Sequence, residues 1–325
     1  MPSRTRIGAH RPIRAKLIFN ANSGRPEDSP RQLASILSEM QKQDILPEVF
    51  TVLPDSQLEA VVHSAIKAGI KLIVVAGGDG TIDSIVGAMV GSSATLGIIP
   101  TGTRNNLAFN LGISGDIAES VALLREGRRL RIDVGRVRSG RTRHWFLEAM
   151  AMGLISDLYP MADDIQHGKL GQIGELLSTF ISATPSRLRM ILDAYQRLDA
   201  SAHMMLVANM PFLGPHFQIS PNVSFQDGRL DLFTFTDMTK LNMLSYAMLS
   251  QGGLVENLGI EHYRVRHMRI RSDPEMPVLA DGVLLGKGSL SVRVYRHALM
   301  VMAGTELSGE PSATPVINTG AAIDG

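Results

Sequence analysis

The chain has 325 residues, 44% of them hydrophobic, with a formal net charge of +1 and no cysteine. That length suggests about two domains, and the near-neutral charge argues against a nucleic-acid binder working through a global basic field. The absence of cysteine excludes disulfides, cysteine-zinc sites and a thiol nucleophile.

Residues 1–14 form a basic stretch without the apolar centre of a signal peptide, and no window approaches the ~18 uninterrupted apolar residues of a membrane span. The expectation is a soluble, cytoplasmic protein with a flexible basic N-terminal arm over residues 1–14. Ala15 to Asn20 (AKLIFN) reads as a short buried strand, followed by the polar turn Asn20-Ala21-Asn22-Ser23-Gly24, suited to hydrogen-bonding phosphate or adenosine groups. Pro30 suits a first helical position, with Leu33, Ile36, Leu37 and Met40 at helical spacing. Glu48 to Leu53 reads as a second strand. Ser56 and Glu59 have capping-box spacing for a helix through Ala68, with Gly69 as its stop.

Leu72 to Ser84 (LIVVAGGDGTIDS) is the stretch around which the chain is organised: an apolar run, an abrupt glycine turn, then a helical pattern. Buried parallel strands read as continuous apolar runs, and open α/β sheets place ligands at the carboxyl ends of their strands. Gly77, Gly78 and Gly80 let the backbone approach a phosphate, and the helix start offers unpaired N–H groups. Asp79 would repel that phosphate unless a divalent cation lay between them. Leu96 to Ile99 is a fourth strand, ending in a second such turn, Pro100 to Asn106. Ile117 to Arg125 reads as a helix and Arg131 to Val134 as a strand.

That alternation predicts a doubly wound α/β nucleotide-binding domain over residues 15–135. A β-rich domain is expected over 136–305, with strands at Val137–Arg138, His144–Glu148, Arg187–Ala194, His203–Asn209, Arg229–Thr236, Tyr263–Ile270 and Leu290–Tyr295. Helical patterns at Lys169–Ala183 and Leu241–Ser250 interrupt it. Residues 306–325 are rich in Gly, Ser, Pro and Thr and read as a disordered tail. The apolar stretches Met204–Leu213 and Leu241–Leu249 suit plain core, with a lipid-accepting cleft as the alternative.

GxxxxGK[ST], HExxH and GxSxG are absent, and the nine histidines show no metal spacing. What remains is a set of acids beside glycine: Asp79, Asp133, Asp227 and Asp231 in DGRLD, and Asp281 in ADG. Asp-Gly pairs are often only turns. Beside a phosphate-type loop they suggest magnesium held by carboxylates and substrate phosphates.

NANSG (Asn20–Gly24), AGGDGT (Ala76–Thr81), PTGTRNNLA (Pro100–Ala108), DVG (Asp133–Gly135), DGRLD (Asp227–Asp231) and ADG around Asp281 together resemble the diacylglycerol kinase catalytic-domain family. That family includes bacterial diacylglycerol and YegS-like lipid kinases and is related to sphingosine and ceramide kinases. The resemblance implies an N-terminal NAD-kinase-like α/β domain and a C-terminal β-sandwich, with ATP and lipid meeting between them. It implies that Asn20, Ala21, Asn22, Ser23, Gly24, Thr51, Gly77, Gly78, Asp79, Gly80, Thr81, Ile82, Asp83 and Thr103 line the nucleotide. It also implies that Asp79 and Asp133 engage catalytic Mg2+ through water, that Asp227 and the Arg229 carbonyl belong to a second, structural Mg2+ site, and that Asp281 lies near the acceptor hydroxyl. The partners implied are a lipid substrate and a membrane surface met peripherally; a homodimer is left open.

Two positions depart from the family pattern. Asn106 replaces the acid of GTxND, and Val283 replaces the glutamate of DGE, the residue often assigned as the base. Asp281 or a substrate-bound water would then fill that role, or the chain binds lipid or nucleotide without catalysis. NAD kinases share GGDGT, but no Asn-Glu pair follows it here at a suitable distance.

Overall fold

The computed structural model describes residues 11–154, 156, 184–213, 217–236 and 260–307. The two expected interior helices, most of the N-terminal arm and the tail beyond Leu307 lie outside the described residues.

The central strands, Leu72–Gly77 and Thr95–Pro100, are apolar runs buried on both faces, while Ile45–Thr51 is an exposed edge. β1 (Ile13–Phe19), β3 (Leu72–Gly77) and β4 (Thr95–Pro100) pair in parallel, and β2 (Ile45–Thr51) pairs on the outer side of β1. Every residue of β3 and β4 is buried, as a sheet covered on both sides requires. One cover is α1 (Ser29–Lys42) with α5 (Ile117–Glu126), packed on Leu17, Phe19, Val74 and Ala76. The opposite cover is α2 (Leu58–Lys67), α3 (Asp79–Met89) and α4 (Asn106–Asn110), packed on Ile18, Ile73, Val75 and Ile98. This is the doubly wound arrangement the sequence predicts.

One local expectation fails. Ser56 and Glu59 form no capping box; α2 starts after Gln57 without a side-chain cap. Ser56 Oγ instead accepts the Leu53 N–H at 2.8 Å, closing the preceding turn. Gly69 stops the helix as expected, at φ +85°.

After α5 the chain turns antiparallel. β5 (Arg128–Ser139) pairs with β6 (Thr142–Phe146) and with β16 (Leu290–Ala303), which also pairs in parallel with β4 and antiparallel with β13 (His267–Asp273). Through β8 (Ser186–Leu192) and β9 (Gln196–Ala202) the larger sheet reaches ten strands among the described residues. A second sheet contains, among the described residues, β7 (Ala149–Gly153), β10 (Met204–Ala208), β11 (Leu230–Phe235), β12 (Ile260–Val265), β14 (Pro277–Ala280) and β15 (Val283–Lys287). Between the sheets lies a core of Val137, Leu188, Met190, Met268 and Val292 facing Met150, Met152, Met205, Val207 and Leu232. That is the expected β-sandwich.

Strand boundaries differ where the backbone bends. The alternating stretch Tyr263–Ile270 divides between two sheets, as β12 and β13. β16 extends far past Tyr295, because a bulge with His297 at φ +50° re-aims the strand without ending it. β7, β9, β14 and β15 add strands beyond those the sequence predicts. Met204–Ala208 is buried strand, in keeping with plain core.

Candidate active site

Neighbouring strands β1, β3 and β4 end together, so their turns meet. A Cβ on Gly102 would stand 2.5 Å from Gly78 Cα, and one on Gly24 would overlap the Thr101 carbonyl oxygen. Only glycine allows this contact. Asn20 Nδ2 donates to Thr81 Oγ1 at 2.8 Å, and Asn105, itself left-handed at φ +52°, braces the second turn by exchanging hydrogen bonds with Gly102. Gly78 precedes α3 without a side-chain cap, leaving the helix N-terminus in the arrangement that receives phosphate. The buried Thr101 Oγ1 has no partner among the described residues. Thr51 and Thr103 are exposed, Thr51 at the end of the edge strand next to β1.

Asp79 faces this crevice from the first turn of α3. Its two carboxylate oxygens accept the Asn106 and Leu107 N–H groups at 3.0 and 3.2 Å, joining GGDGT to the start of α4. Burial raises its pKa, opposed by those N–H groups and by the Arg104 charge.

Asp281 sits at φ +41° with its carboxylate turned into a nest of backbone donors. Leu147, Glu148 and Ala149 N–H groups donate to it at 2.6, 3.1 and 3.0 Å. Burial nonetheless pushes its pKa up to about 7, the donors acting against burial and the Asp83 charge adding to it.

The acid that sequence reasoning missed is Glu148. It lies between these two: its backbone is held by Asp281, and its Oε2 accepts the Asn106 Nδ2–H at 3.0 Å. It is only 7% exposed, and burial raises its pKa well above the usual carboxylate range, with the Asp281 and Asp79 charges adding to the effect. Its one sequence signal is an acid set inside an apolar run, FLEAMAMG. His144, also missed, lies 3.1 Å from Asp83 Oδ1, and that carboxylate raises the imidazole pKa against burial.

Asp133 is placed elsewhere. Fully buried, it accepts the Gly228 and His297 N–H groups at 2.6 and 2.7 Å, pinning the 225–229 turn to the bulge of β16. Burial raises its pKa, with the Asp227 charge acting in the same direction and the two donors opposing. Asp227 accepts the Arg229 N–H at 2.8 Å and pairs with the Arg264 guanidinium. Asp231, buried in β11, lies 2.6 Å from His262 Nε2. Asp79, Asp83, Glu148 and Asp281 thus form one group, and Asp133, Asp227 and Asp231 another, linked through Asn209, which donates to the Asp133 and Leu147 carbonyls.

Among the described residues, no three His, Asp or Glu side chains converge as a metal cage. The crevice suits magnesium in its usual form, held by one or two carboxylates, water and substrate phosphates. At Asp227 both oxygens are already engaged and a guanidinium supplies the countercharge.

Comparison with known proteins gives the family and the fold. Residues 14–137 match the family model of the diacylglycerol kinase catalytic domain, and residues 161–303 that of the YegS C-terminal NAD kinase beta sandwich-like domain. The chain belongs to the diacylglycerol kinase family of lipid kinases. It is 26% identical to a diacylglycerol kinase of Bacillus subtilis over 89% of this chain and 96% of that protein. A diacylglycerol kinase of Mycobacterium tuberculosis is 25% identical over 67% and 72% of the two chains. In fold it resembles the crystal structure of a diacylglycerol kinase from Bacillus anthracis, with TM-score 0.70 and 20% identity over 90% of this chain and 97% of that one. An NAD kinase from Archaeoglobus fulgidus, solved with ATP, shares the fold more distantly, with TM-score 0.51 and 14% identity over 90% and 94%.

Proposed function

We propose that this lipid kinase uses ATP and magnesium to phosphorylate a hydroxyl of diacylglycerol or a related lipid. The observation supporting this most directly is the meeting of two glycine turns with the carboxyls of Asp79, Glu148 and Asp281. Asn20–Gly24, Thr51, Gly77–Asp83 and Thr103 would hold the nucleotide, and Asp79 would face the metal through water. Bound magnesium would neutralise charge on the transferring phosphates. Phosphoryl transfer otherwise needs positioning and a group to receive the acceptor's proton.

Glu148 is that group in this reading. Val283 cannot accept a proton, and Asp281 is committed to three backbone donors. Asn106 occupies the position of the second missing acid and orients Glu148 through Oε2, leaving Oε1 for the hydroxyl. As the lipid oxygen bonds to the γ-phosphorus, its proton passes to Oε1 and ADP leaves. Asp281 positions the Leu147–Ala149 backbone, and Asp133 positions the turn bearing Asp227 and Arg229.

The test is transfer of labelled γ-phosphate to diacylglycerol, monoacylglycerol, phosphatidylglycerol, sphingosine and ceramide in mixed micelles. Asp79→Asn should abolish transfer in a folded protein, and normal turnover there would remove the kinase mechanism. Glu148→Gln should lower kcat by roughly 10²–10⁴ with the KM for ATP nearly unchanged, while Glu148→Asp keeps partial activity. Val283 favours a second reading, a lipid or nucleotide binder without catalysis; ATP binding without transfer to any acceptor would support it.

A further inference from the structure

The crevice carboxyls stand on separate parts of the fold, and a closed ring of contacts joins them. Asp79 accepts the Asn106 N–H, and Asn106 Nδ2 donates to Glu148 Oε2. Glu148 lies two residues past the end of β6, and His144 of β6 lies 3.1 Å from Asp83 Oδ1. Asp83 is one helical turn beyond Asp79 on the same face of α3, which closes the ring. Hydrogen bonds make one half of it. The other half depends on the Asp83–His144 pair.

The sheet offers β6 little other restraint. It is a short edge strand, paired among the described residues only with β5, so its second edge has no ladder. α3 supplies the support instead. Trp145 packs against the core there, 3.6 Å from where a Cβ on Gly87 would stand, and His144 meets Asp83 one turn earlier. Directly after β6 the chain crosses to the smaller sheet, and that crossing carries Glu148.

The pair is ionic. The His144 and Asp83 side chains are 19% and 15% exposed, so solvent screens them little. Yet His144 Nε2 has no aligned hydrogen-bond partner among the described residues, so the attraction needs the imidazolium. Its surroundings favour that form: Asp83, and after it Asp281 from the β14–β15 turn, raise the imidazole pKa against burial. On β5 its register partner is the apolar Val137, and the Arg136 charge is stacked on Trp145, on the opposite face. Arg104 offsets charge on Asp79 and Glu148, leaving His144 to face Asp83 and Asp281.

We propose that His144 is a positioning residue for phosphoryl transfer: its imidazolium, held by Asp83, ties β6 to α3 and so fixes Glu148 opposite Asp79. The inference rests on the kinase reading above, in which Glu148 receives the acceptor's proton and Asp79 faces the metal. A misplacement of about 1 Å between such groups costs up to roughly 10²-fold in rate.

The experiment combines steady-state kinetics with NMR of the imidazoles in isotope-labelled full chain. In the wild type kcat should rise with pH as Glu148 loses its proton, then fall as His144 loses its own. His144→Gln should lower kcat by roughly 10- to 100-fold, leave the KM for ATP nearly unchanged and abolish the alkaline fall. His144→Lys keeps a cation beside Asp83; it should recover much of the loss and hold its rate to higher pH, since lysine titrates near ~10. The imidazole signal missing from His144→Gln identifies His144. It should titrate above the ordinary histidine value in the wild type and lower in Asp83→Asn. An alkaline fall retained in His144→Gln, equal rates for the Gln and Lys variants, or an unchanged His144 titration in Asp83→Asn would each overturn the proposal. A wild type that transfers phosphate to no acceptor would remove the kinase reading itself, and the titration would then still decide whether Asp83 holds the imidazolium.

Discussion

At the residue scale, Glu148 and Asp281 are acids kept where burial favours the proton. The Asp281 pKa rises from 3.8 to about 7, so between those values the native chain holds a proton that the unfolded chain has released. Stability contributed by this group therefore falls as pH rises from about 4 to 7, and the full burial cost is present above that. Glu148 acts in the same direction. Glu148→Gln removes the buried ionisable carboxyl, while its amide oxygen can still accept from Asn106. This variant should be more stable than the wild type at pH 8 by about 0.5–2 kcal/mol, a stability gained where activity is lost. The difference should vanish near pH 4, where both side chains are neutral. Thermal melts at the two pH values check this, and a variant less stable at pH 8 would contradict the burial account.

At the element scale, the nucleotide crevice is a meeting of turns, and its glycines differ in what they tolerate. Gly102→Ala drives a methyl into the Gly78 backbone, so the turns must separate. The expected cost is about 1–3 kcal/mol, with ATP affinity reduced at least tenfold by calorimetry. Gly80→Ala meets no atom within 4 Å and lies in the first turn of α3, so its stability should be unchanged or slightly raised. The strand-turn-helix of LIVVAGGDGTIDS is legible in the sequence because its signal is local: apolar run, glycines and helical spacing within one short stretch. Glu148 is not, because its meaning arises when the 147–149 backbone meets Asp281, more than 130 positions away in sequence. The same holds for Asp133, which lies near a glycine in sequence but is clamped in space by Gly228 and His297. β16 reads too short in the sequence because Arg296-His297 breaks its alternation, although the chain bulges there and continues.

At the scale of the whole molecule, β16 joins two cores. Its later residues pair with β4 of the α/β layer, its earlier ones with β13 of the sandwich, and β5 runs beside it along both parts. A sheet continuous through both cores gives neither half an independent edge at which to separate. Loss of packing on one side should then loosen the other. Ile73, fully buried in the α/β core, and Leu188, fully buried in the sandwich core, provide the comparison. Ile73→Ala and Leu188→Ala should each cost about 2–5 kcal/mol and lower the same transition. Trp145, the only tryptophan, reports on the junction: it stacks edge-on against Tyr295 of β16 at 4.9 Å and packs, half-buried, against the core under α3. Its fluorescence and far-UV circular dichroism should trace one coincident denaturant curve in the wild type and in both variants. If Leu188→Ala produced a separate early transition with Trp145 still packed on Tyr295, the sandwich would be an independent unit and β16 only its tether.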